Sequence, residues 1–421
     1  MSEENMGNSD VYSEIRNCRI CSSTNLIDIM SLGSQRLISF PDTFNKDFII
    51  APLNIVLCAR CHLLQLKHTV DRSLLYSEYW YKSGISSTMV LALKDIVTHV
   101  ESLLDLKAGD IVLDIGSNDG TLLSLYSESK LIKVGFEPSN IAKMATNDSY
   151  VLIHDYFSKE KFMQRVKGEK AKVITSIAMF YDLDDPNEFV EDVKECLHLN
   201  GVWVIQMNYL PLMLKNNTFD NISHEHLEYY SLETLEYLLR QHDLRAFDIE
   251  LNDVNGGSIR IYVKHAASAI ELNLDSEKRL QTIRFDESKM RIGELSTYED
   301  FSLRVRKARD DLVSFLKALN DEGKTIFIYG ASTRGLVVVE YAKIAGTFIN
   351  YVVDKNPDKW GRYYAGTPIK VISIESYRKS PPDYLLVLPY QFINEIAEQE
   401  KEQIKRGMKL VTVIPYLKVR Q

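Results

Sequence analysis

No stretch of this chain approaches the roughly 18 uninterrupted apolar residues that a membrane-spanning helix requires. Its opening, Met-Ser-Glu-Glu-Asn-Met, lacks the charged and then apolar pattern of a secretory signal. The expected setting is the cytoplasm, with no membrane partner. Positive charge is in short supply: 50 Lys and Arg stand against 58 Asp and Glu, a formal net charge of −8. A nucleic-acid partner needs a basic face, so none is expected. Cysteine is scarce, five in 421 residues, and nothing argues for the oxidising compartment that disulfides need. Coiled-coil heptads and internal repeats are missing as well, so no oligomeric symmetry is legible. What remains is a globular composition, 45% apolar and 26% charged, long enough for two or three domains.

The cysteines that are present are placed in a pattern. Four of them form two pairs, Cys18-Arg-Ile-Cys21 and Cys58-Ala-Arg-Cys61. Two thiolates separated by two residues on a tight turn can face one ion, and two such turns make a closed tetrahedral zinc site. With no open coordination position, the ion would hold a fold together and perform no chemistry. Residues 1–75 therefore read as a small zinc-stapled module, with strand-like runs such as 48–57 and too few apolar residues to stand without metal. Cys196, in a helix expected over 188–198, reads as a small buried apolar residue. Tyr76, Tyr79, Trp80 and Tyr81 crowd the segment 75–84, ahead of a helix expected over 87–106. Such density suits either an interdomain packing patch or a substrate-facing loop.

From residue 110 short apolar runs alternate with helical patterns, at 133–137, 151–156, 173–179 and 202–208, and close with a pair at 244–251 and 258–264 joined through Asn255-Gly256. This is a doubly wound α/β sheet ending in an antiparallel hairpin. Its first strand runs into Asp114-Ile-Gly-Ser-Asn-Asp-Gly120, where Gly116 and Gly120 allow a tight turn and close approach to a ligand. The three-glycine pyrophosphate fingerprint is absent. Asp-x-Gly-x-x-x-Gly resembles motif I of S-adenosylmethionine-dependent methyltransferases, which places Asp114, Gly116, Ser117, Asn118 and Gly120 at the cofactor. Glu137 ends the second strand, where a carboxylate can accept both ribose hydroxyls; Asp155, ending the third, is a candidate for the adenine amino group.

A charged linker is expected over 272–299 and a long helix over 298–319, after which the alternation restarts. Gly330-Ala-Ser-Thr-Arg-Gly335 follows a strand over 325–330 and opens a helix, setting hydroxyls, N–H groups and a guanidinium where a phosphate or diphosphate would sit. A fold-restraining turn without ligand is the alternative. Between the halves stands His224-Glu225-His226, beyond the carboxyl end of the fifth strand, where open α/β sheets bind ligands. Its spacing differs from His-Glu-x-x-His and no third metal ligand is evident. General acid or base work and a structural cluster remain open, and adjacent side chains rarely point the same way.

The paired cysteines, Asp-Ile-Gly-Ser-Asn-Asp-Gly, Gly135-Phe-Glu-Pro-Ser139, His-Glu-His-Leu-Glu-Tyr-Tyr, Val254-Asn-Gly-Gly-Ser-Ile-Arg260 and Tyr-Gly-Ala-Ser-Thr-Arg-Gly occur in that order. Over nearly its whole length the chain resembles the sugar C-methyltransferases of deoxysugar biosynthesis. The resemblance implies a zinc-binding domain (1–75), a class I methyltransferase Rossmann-like domain (76–270) and a C-terminal Rossmann-like nucleotide-sugar-binding domain (271–421). It implies S-adenosylmethionine and structural zinc as cofactors, a sugar nucleotide as partner, and methylation next to the ketone of a nucleotide-activated 4-keto-6-deoxyhexose. By the same match His226 is the base, Glu225 orients or relays, His224 joins the catalytic set, and Tyr79 or Tyr81 donates to the keto oxygen. Candidate substrate-facing residues are Asn208, Tyr209, Asn255, Gly330, Ser332, Thr333, Arg334 and Asp354. Two positions depart from relatives: Ser223 stands where some have Tyr, and Tyr181 or Asp182 falls where they have His. An O- or N-methyltransferase on a small molecule and a non-catalytic zinc-containing binding protein are the rival readings.

Overall fold

The computed structural model describes residues 11–44, 48–76, 79–143, 149–271 and 273–420. At the N-terminus β1 (Tyr12–Glu14), β2 (Leu26–Arg36), β3 (Ile50–Cys58), β4 (Leu64–Leu66) and β5 (His68–Val70) form antiparallel ladders, β1 with β5, β2 with β3, and β3 with β4. The main N-terminal sheet does not close its core within residues 1–75. Leu32, Leu53, Ile55, Leu57, Leu64 and Leu66 share one core with Phe301, Val305, Leu312, Leu336 and Val337 from the C-terminal half. Two helices, Leu295–Asp321 and Thr333–Ala342, supply the apolar surface that the short module lacks by itself.

The middle of the chain builds β6 (Ile111–Ile115), β7 (Ile132–Phe136), β8 (Val151–Ile153), β9 (Ala171–Ile177) and β10 (Leu197–Asn208). Next comes a two-residue strand, β11 (Glu228–Tyr229), and then β12 (Leu244–Asn252) and β13 (Ser258–His265). Seven of these make one sheet in the order β12-β13-β10-β9-β6-β7-β8, parallel except for β13. That is the expected class I arrangement. β6 is buried at every position, as a strand covered by helices on both faces should be. β11 departs from this sheet and pairs with β4 of the N-terminal sheet, Glu228 opposite Gln65 and Tyr229 opposite Leu64.

The C-terminal strands β14 (Ile326–Tyr329), β15 (Tyr351–Val353), β16 (Lys370–Ile372), β17 (Tyr384–Val387), β18 (Lys409–Thr412) and β19 (Lys418–Arg420) form a second open sheet in the order β16-β15-β14-β17-β18-β19. Two local expectations are corrected. The charged linker is largely the helix Leu274–Met290, capped by Asn273 on the Ser276 N–H. It is so polar because it buries little more than Leu280, Ile283 and Glu287. The helix expected over 188–198 is Pro186–Cys196, since Leu197 already enters β10.

Candidate active site

Each Cys-x-x-Cys turn closes in the same way. The N–H of the residue after the second Cys, Ser22 or His62, donates to the carbonyl of the first, and both residues take positive φ. The four Sγ atoms lie within 4.8 Å of one another, with Cys18–Cys61 and Cys21–Cys58 each 3.5 Å apart. A zinc ion with Zn–S distances of about 2.3 Å requires tetrahedral S···S edges of about 3.8 Å, so the donor set fits. Cys196 lies outside this cluster, and burial pushes its thiol up to about 12, as a packing cysteine should be.

At the end of β6 the N–H groups of Gly116 and Ser117 both donate to the Phe136 carbonyl at 2.9 Å. Gly120 has φ +76, and a Cβ there would stand 2.3 Å from the Tyr150 ring. Buried Glu137 accepts the N–H of Asn118 at 2.9 Å and of Ser139 at 2.8 Å. Asp114 takes the Thr175 hydroxyl at 2.5 Å, and burial pushes its carboxyl up to about 7. These residues fit a cofactor with a ribose and an amino acid end. Asp155 faces Lys161 at 2.5 Å on a half-exposed surface, and that ion pair holds its carboxyl below the usual range.

The second turn is built on the same plan, although no sequence repeat announces it. Asp354, after β15, accepts the N–H of Ala331 at 2.9 Å and of Asn356 at 2.8 Å, as Glu137 does from its glycine turn and from the residue two further on. Gly330 has φ +92, and a Cβ there would meet Pro389 at 2.7 Å. Ser332 caps the helix Thr333–Ala342 through the Gly335 N–H. Arg334 corrects the expectation of a free guanidinium. It is buried against Asp220 at 2.6 Å and donates to the Asn255 carbonyl at 2.5 Å and the Tyr390 hydroxyl at 3.0 Å. Its charge is neutralised inside, and it binds the second turn to the 253–257 loop.

The His-Glu-His segment touches β3 of the N-terminal sheet, the loop after β9 and the helix Thr333–Ala342, and its side chains divide as adjacent residues should. His224 donates from Nε2 to the Ala51 carbonyl of β3 at 2.9 Å, and burial lowers it to about 4. It pins the loop to the N-terminal sheet, which corrects its place in the catalytic set. Glu225, pushed up to about 7 by burial, accepts the Thr333 hydroxyl at 3.4 Å. His226 donates from Nδ1 to the Asn221 carbonyl at 2.7 Å and stands edge-on to Tyr181, ring centres 4.4 Å apart. Burial lowers His226 to about 4, so near neutral pH it is uncharged with its proton on Nδ1 and a lone pair on Nε2.

Around it gather Asn208, whose amide donates to Asn221 at 3.0 Å, and Asp182, whose Oδ1 is buried without a partner. Tyr76 hydrogen-bonds Asp182, and burial, with Asp182 and Glu225 nearby, pushes the pKa of both Tyr76 and Tyr79 well above the ordinary phenol value, so both keep their protons. Tyr76 belongs to the aromatic segment 75–84, and nothing in its spacing distinguishes it from its neighbours. Tyr81 is 45% exposed and so is not placed as a buried donor. The Tyr209 hydroxyl is committed to Glu287, to which it donates at 2.5 Å, while the residue lines a small cavity together with Asn208, Tyr181 and His226.

Glu287 is 3% exposed and also accepts the N–H of Leu232 at 2.6 Å and of Glu233 at 3.0 Å, capping the helix Leu232–Gln241 from a distant part of the chain. Glu287→Ala strands three buried donors and is expected to cost about 3–5 kcal/mol. Urea unfolding measures it, and Glu287→Gln should recover part of the loss.

Family models match in order: a zinc binding domain over residues 18–76, a methyltransferase domain over 92–248 and a C-methyltransferase C-terminal domain over 253–415. The chain is 29% identical over 412 residues to the C-methyltransferase NovU of Streptomyces niveus, spanning 96% of this chain and 97% of that one. Among solved structures, the plantazolicin methyltransferase BpumL in complex with SAH covers 42% of this chain and 83% of its own, at 15% identity and a TM-score of 0.33. The SAH-bound calicheamicin-biosynthesis methyltransferase CalO1 covers 42% and 54%, at 12% identity and a TM-score of 0.32. With four buried cysteines converging on one point, and with zinc-binding and methyltransferase models matching in order, the chain is an S-adenosylmethionine-dependent methyltransferase with a structural zinc site, similar over nearly its whole length to a C-methyltransferase.

Proposed function

We propose that the acceptor is the carbon next to the ketone of a nucleotide-activated 4-keto-6-deoxyhexose, and that His226 removes the proton from that carbon. The reading takes 1–75, 76–270 and 271–421 as the zinc, cofactor and nucleotide-sugar modules of a cytoplasmic enzyme. Its strongest support is the geometry at His226, whose ring is held by the Asn221 carbonyl and stands edge-on to Tyr181. A carbon is nucleophilic enough only as an enolate, which calls for an uncharged base and for donors at the developing oxyanion. Nδ1 is committed to the Asn221 carbonyl, so Nε2 is the basic atom. When bound, S-adenosylmethionine supplies an electrophilic methyl group. Asp114, the 116–120 turn and Glu137 hold it.

Glu225 and Asp182 are buried carboxyls whose affinity for protons is raised by burial, and Glu225, pushed up to about 7, is a donor below that pH. With Tyr79 they stand where an enolate oxygen would be stabilised, and proton transfer and orientation then carry most of the rate. Asn208 and the turn of Gly330, Ser332 and Thr333 form the wall on which the sugar and its diphosphate would rest, the helix N-terminus favouring negative charge.

Incubation with keto-sugar nucleotides in deuterium oxide tests the reading. Without methyl donor, the α-carbon should exchange its proton; with labelled methyl donor, the label should appear on that carbon. Label on a sugar oxygen, with no exchange, would overturn it in favour of O-methylation.

A further inference from the structure

One short piece of chain ties the two acid-bearing turns together. Along 79–84, the Tyr79 N–H donates to Asn140 at 2.8 Å, Ser83 N–H to the Asn118 side chain at 2.9 Å and Gly84 N–H to Asp119 at 2.8 Å. The Tyr81 carbonyl accepts from Asn118 Nδ2 at 3.1 Å. On the other side, the Trp80 carbonyl accepts from Asn356 Nδ2 at 3.2 Å, and Lys82 pairs with Asp358 at 3.1 Å. Trp80 itself wedges against Phe40 and beneath the Arg362 guanidinium.

Asn118, in the first glycine turn, and Asn356, two residues beyond the second acid, stand at different positions of the two turns but act alike on the strap. Each gives its backbone N–H to the acid of its own turn, Glu137 or Asp354, and its side chain to this strap. The strap also carries Tyr79 to Asp182 and Glu225. A ligand that fixes either acid therefore fixes an asparagine, and through it the backbone that positions Tyr79.

We propose that Asn356 is a positioning residue for methyl transfer, and that the strap couples occupancy of the second turn to occupancy of the cofactor turn. The inference rests on the sugar-nucleotide reading, because it takes the second turn to hold a nucleoside diphosphate. Ordering the strap for one ligand leaves it already ordered for the other, so each tightens the other by one and the same factor.

Calorimetry of S-adenosylhomocysteine, with and without saturating uridine, guanosine or thymidine diphosphate, tests it on the full chain. The wild type should bind S-adenosylhomocysteine about fivefold more tightly with nucleotide present, the low end of measured couplings. Asn356→Asp keeps the acceptor that the Asp358 N–H uses at 3.0 Å and removes the donor to Trp80, so the tightening should vanish. In turnover the variant should raise the KM for the methyl donor more than it lowers kcat. Lys82→Ala, on the strap's outer side, should reduce the coupling part-way and stands in if Asn356→Asp does not fold. Hydrogen exchange gives a readout without nucleotide: S-adenosylhomocysteine alone should protect the Ser83 and Gly84 amides and also Asp358. A nucleotide that binds without changing the affinity for S-adenosylhomocysteine, or full coupling in Asn356→Asp, overturns the inference and leaves the sugar-nucleotide reading standing. Failure of all three nucleotides to bind overturns both.

Discussion

Exchange of Cys58 for Ser, or removal of zinc with a strong chelator, is expected to lower methyl transfer at least about 100-fold, since loss of a placed base alone costs about 10²–10⁴-fold. S-adenosylhomocysteine should still bind. Structural zinc contributes about 10–16 kcal/mol in small zinc modules, and here that energy reaches the catalytic loop by a short route. Arg19, inside the first Cys-x-x-Cys turn, lies 3.4 Å from fully buried Glu228 and donates to the Leu66 carbonyl of β4 at 2.7 Å. Glu228 begins β11, two residues after His226. When the turn loosens, Glu228 is left as a buried carboxylate without its cation, and β11 loses its partner strand. The cofactor turn is held separately, by β6 and β7. A metal-free protein with full turnover would sink this account.

His226→Gln is expected to reduce kcat by about 10²–10⁴-fold, the usual contribution of a general base, with S-adenosylhomocysteine affinity within about twofold, because the proposed reading sets this side chain against the acceptor while the cofactor lies at the 114–120 turn. Solvent exchange at the α-carbon should disappear with it. Retained exchange would transfer the role of base to another group. The pH profile gives an independent check. His226 titrates near 4 in the folded protein, so the neutral base is present above that pH and lost below it. Glu225 titrates near 7, and its donor form is lost as pH rises through that value. Activity should therefore fall on both sides, and Glu225→Gln, which mimics the protonated acid, should remove the alkaline limb. The same shift affects stability. His226 binds its proton less well folded than unfolded, so its contribution is full above its ordinary 6.5 and is lost as pH falls toward 4. That loss is roughly 3 kcal/mol, and His226→Gln should resist acid unfolding correspondingly better.

How much of this was legible depends on whether the determining contacts are local. The cysteine turns, Gly116 and Gly120, Glu137 at a strand end and the 244–265 hairpin each express themselves within a few residues, and pattern alone located them. Arg334 was legible as a cation at a helix start, but its partners Asp220, Asn255 and Tyr390 come from three other segments. Glu287 reads as a solvated acid in a charged stretch because the helix end it caps lies 54 and 55 residues away. The split roles of His224 and His226 follow from which carbonyl each ring meets, Ala51 or Asn221, and no spacing rule encodes that. The likeness of the two acid-bearing turns lies in their backbone hydrogen bonds and leaves no shared residue pattern.

β11 also bears on how such chains can be rearranged. A zinc module transplanted as residues 1–75 would leave its edge strand behind, exposing the free backbone groups of β4 as a template for foreign strands. Such a graft should self-associate, whereas one that also carries a two-residue mimic of Glu228–Tyr229 should stay dispersed. In this architecture the unit that can be exchanged between enzymes is defined by strand partners and not by contiguous sequence.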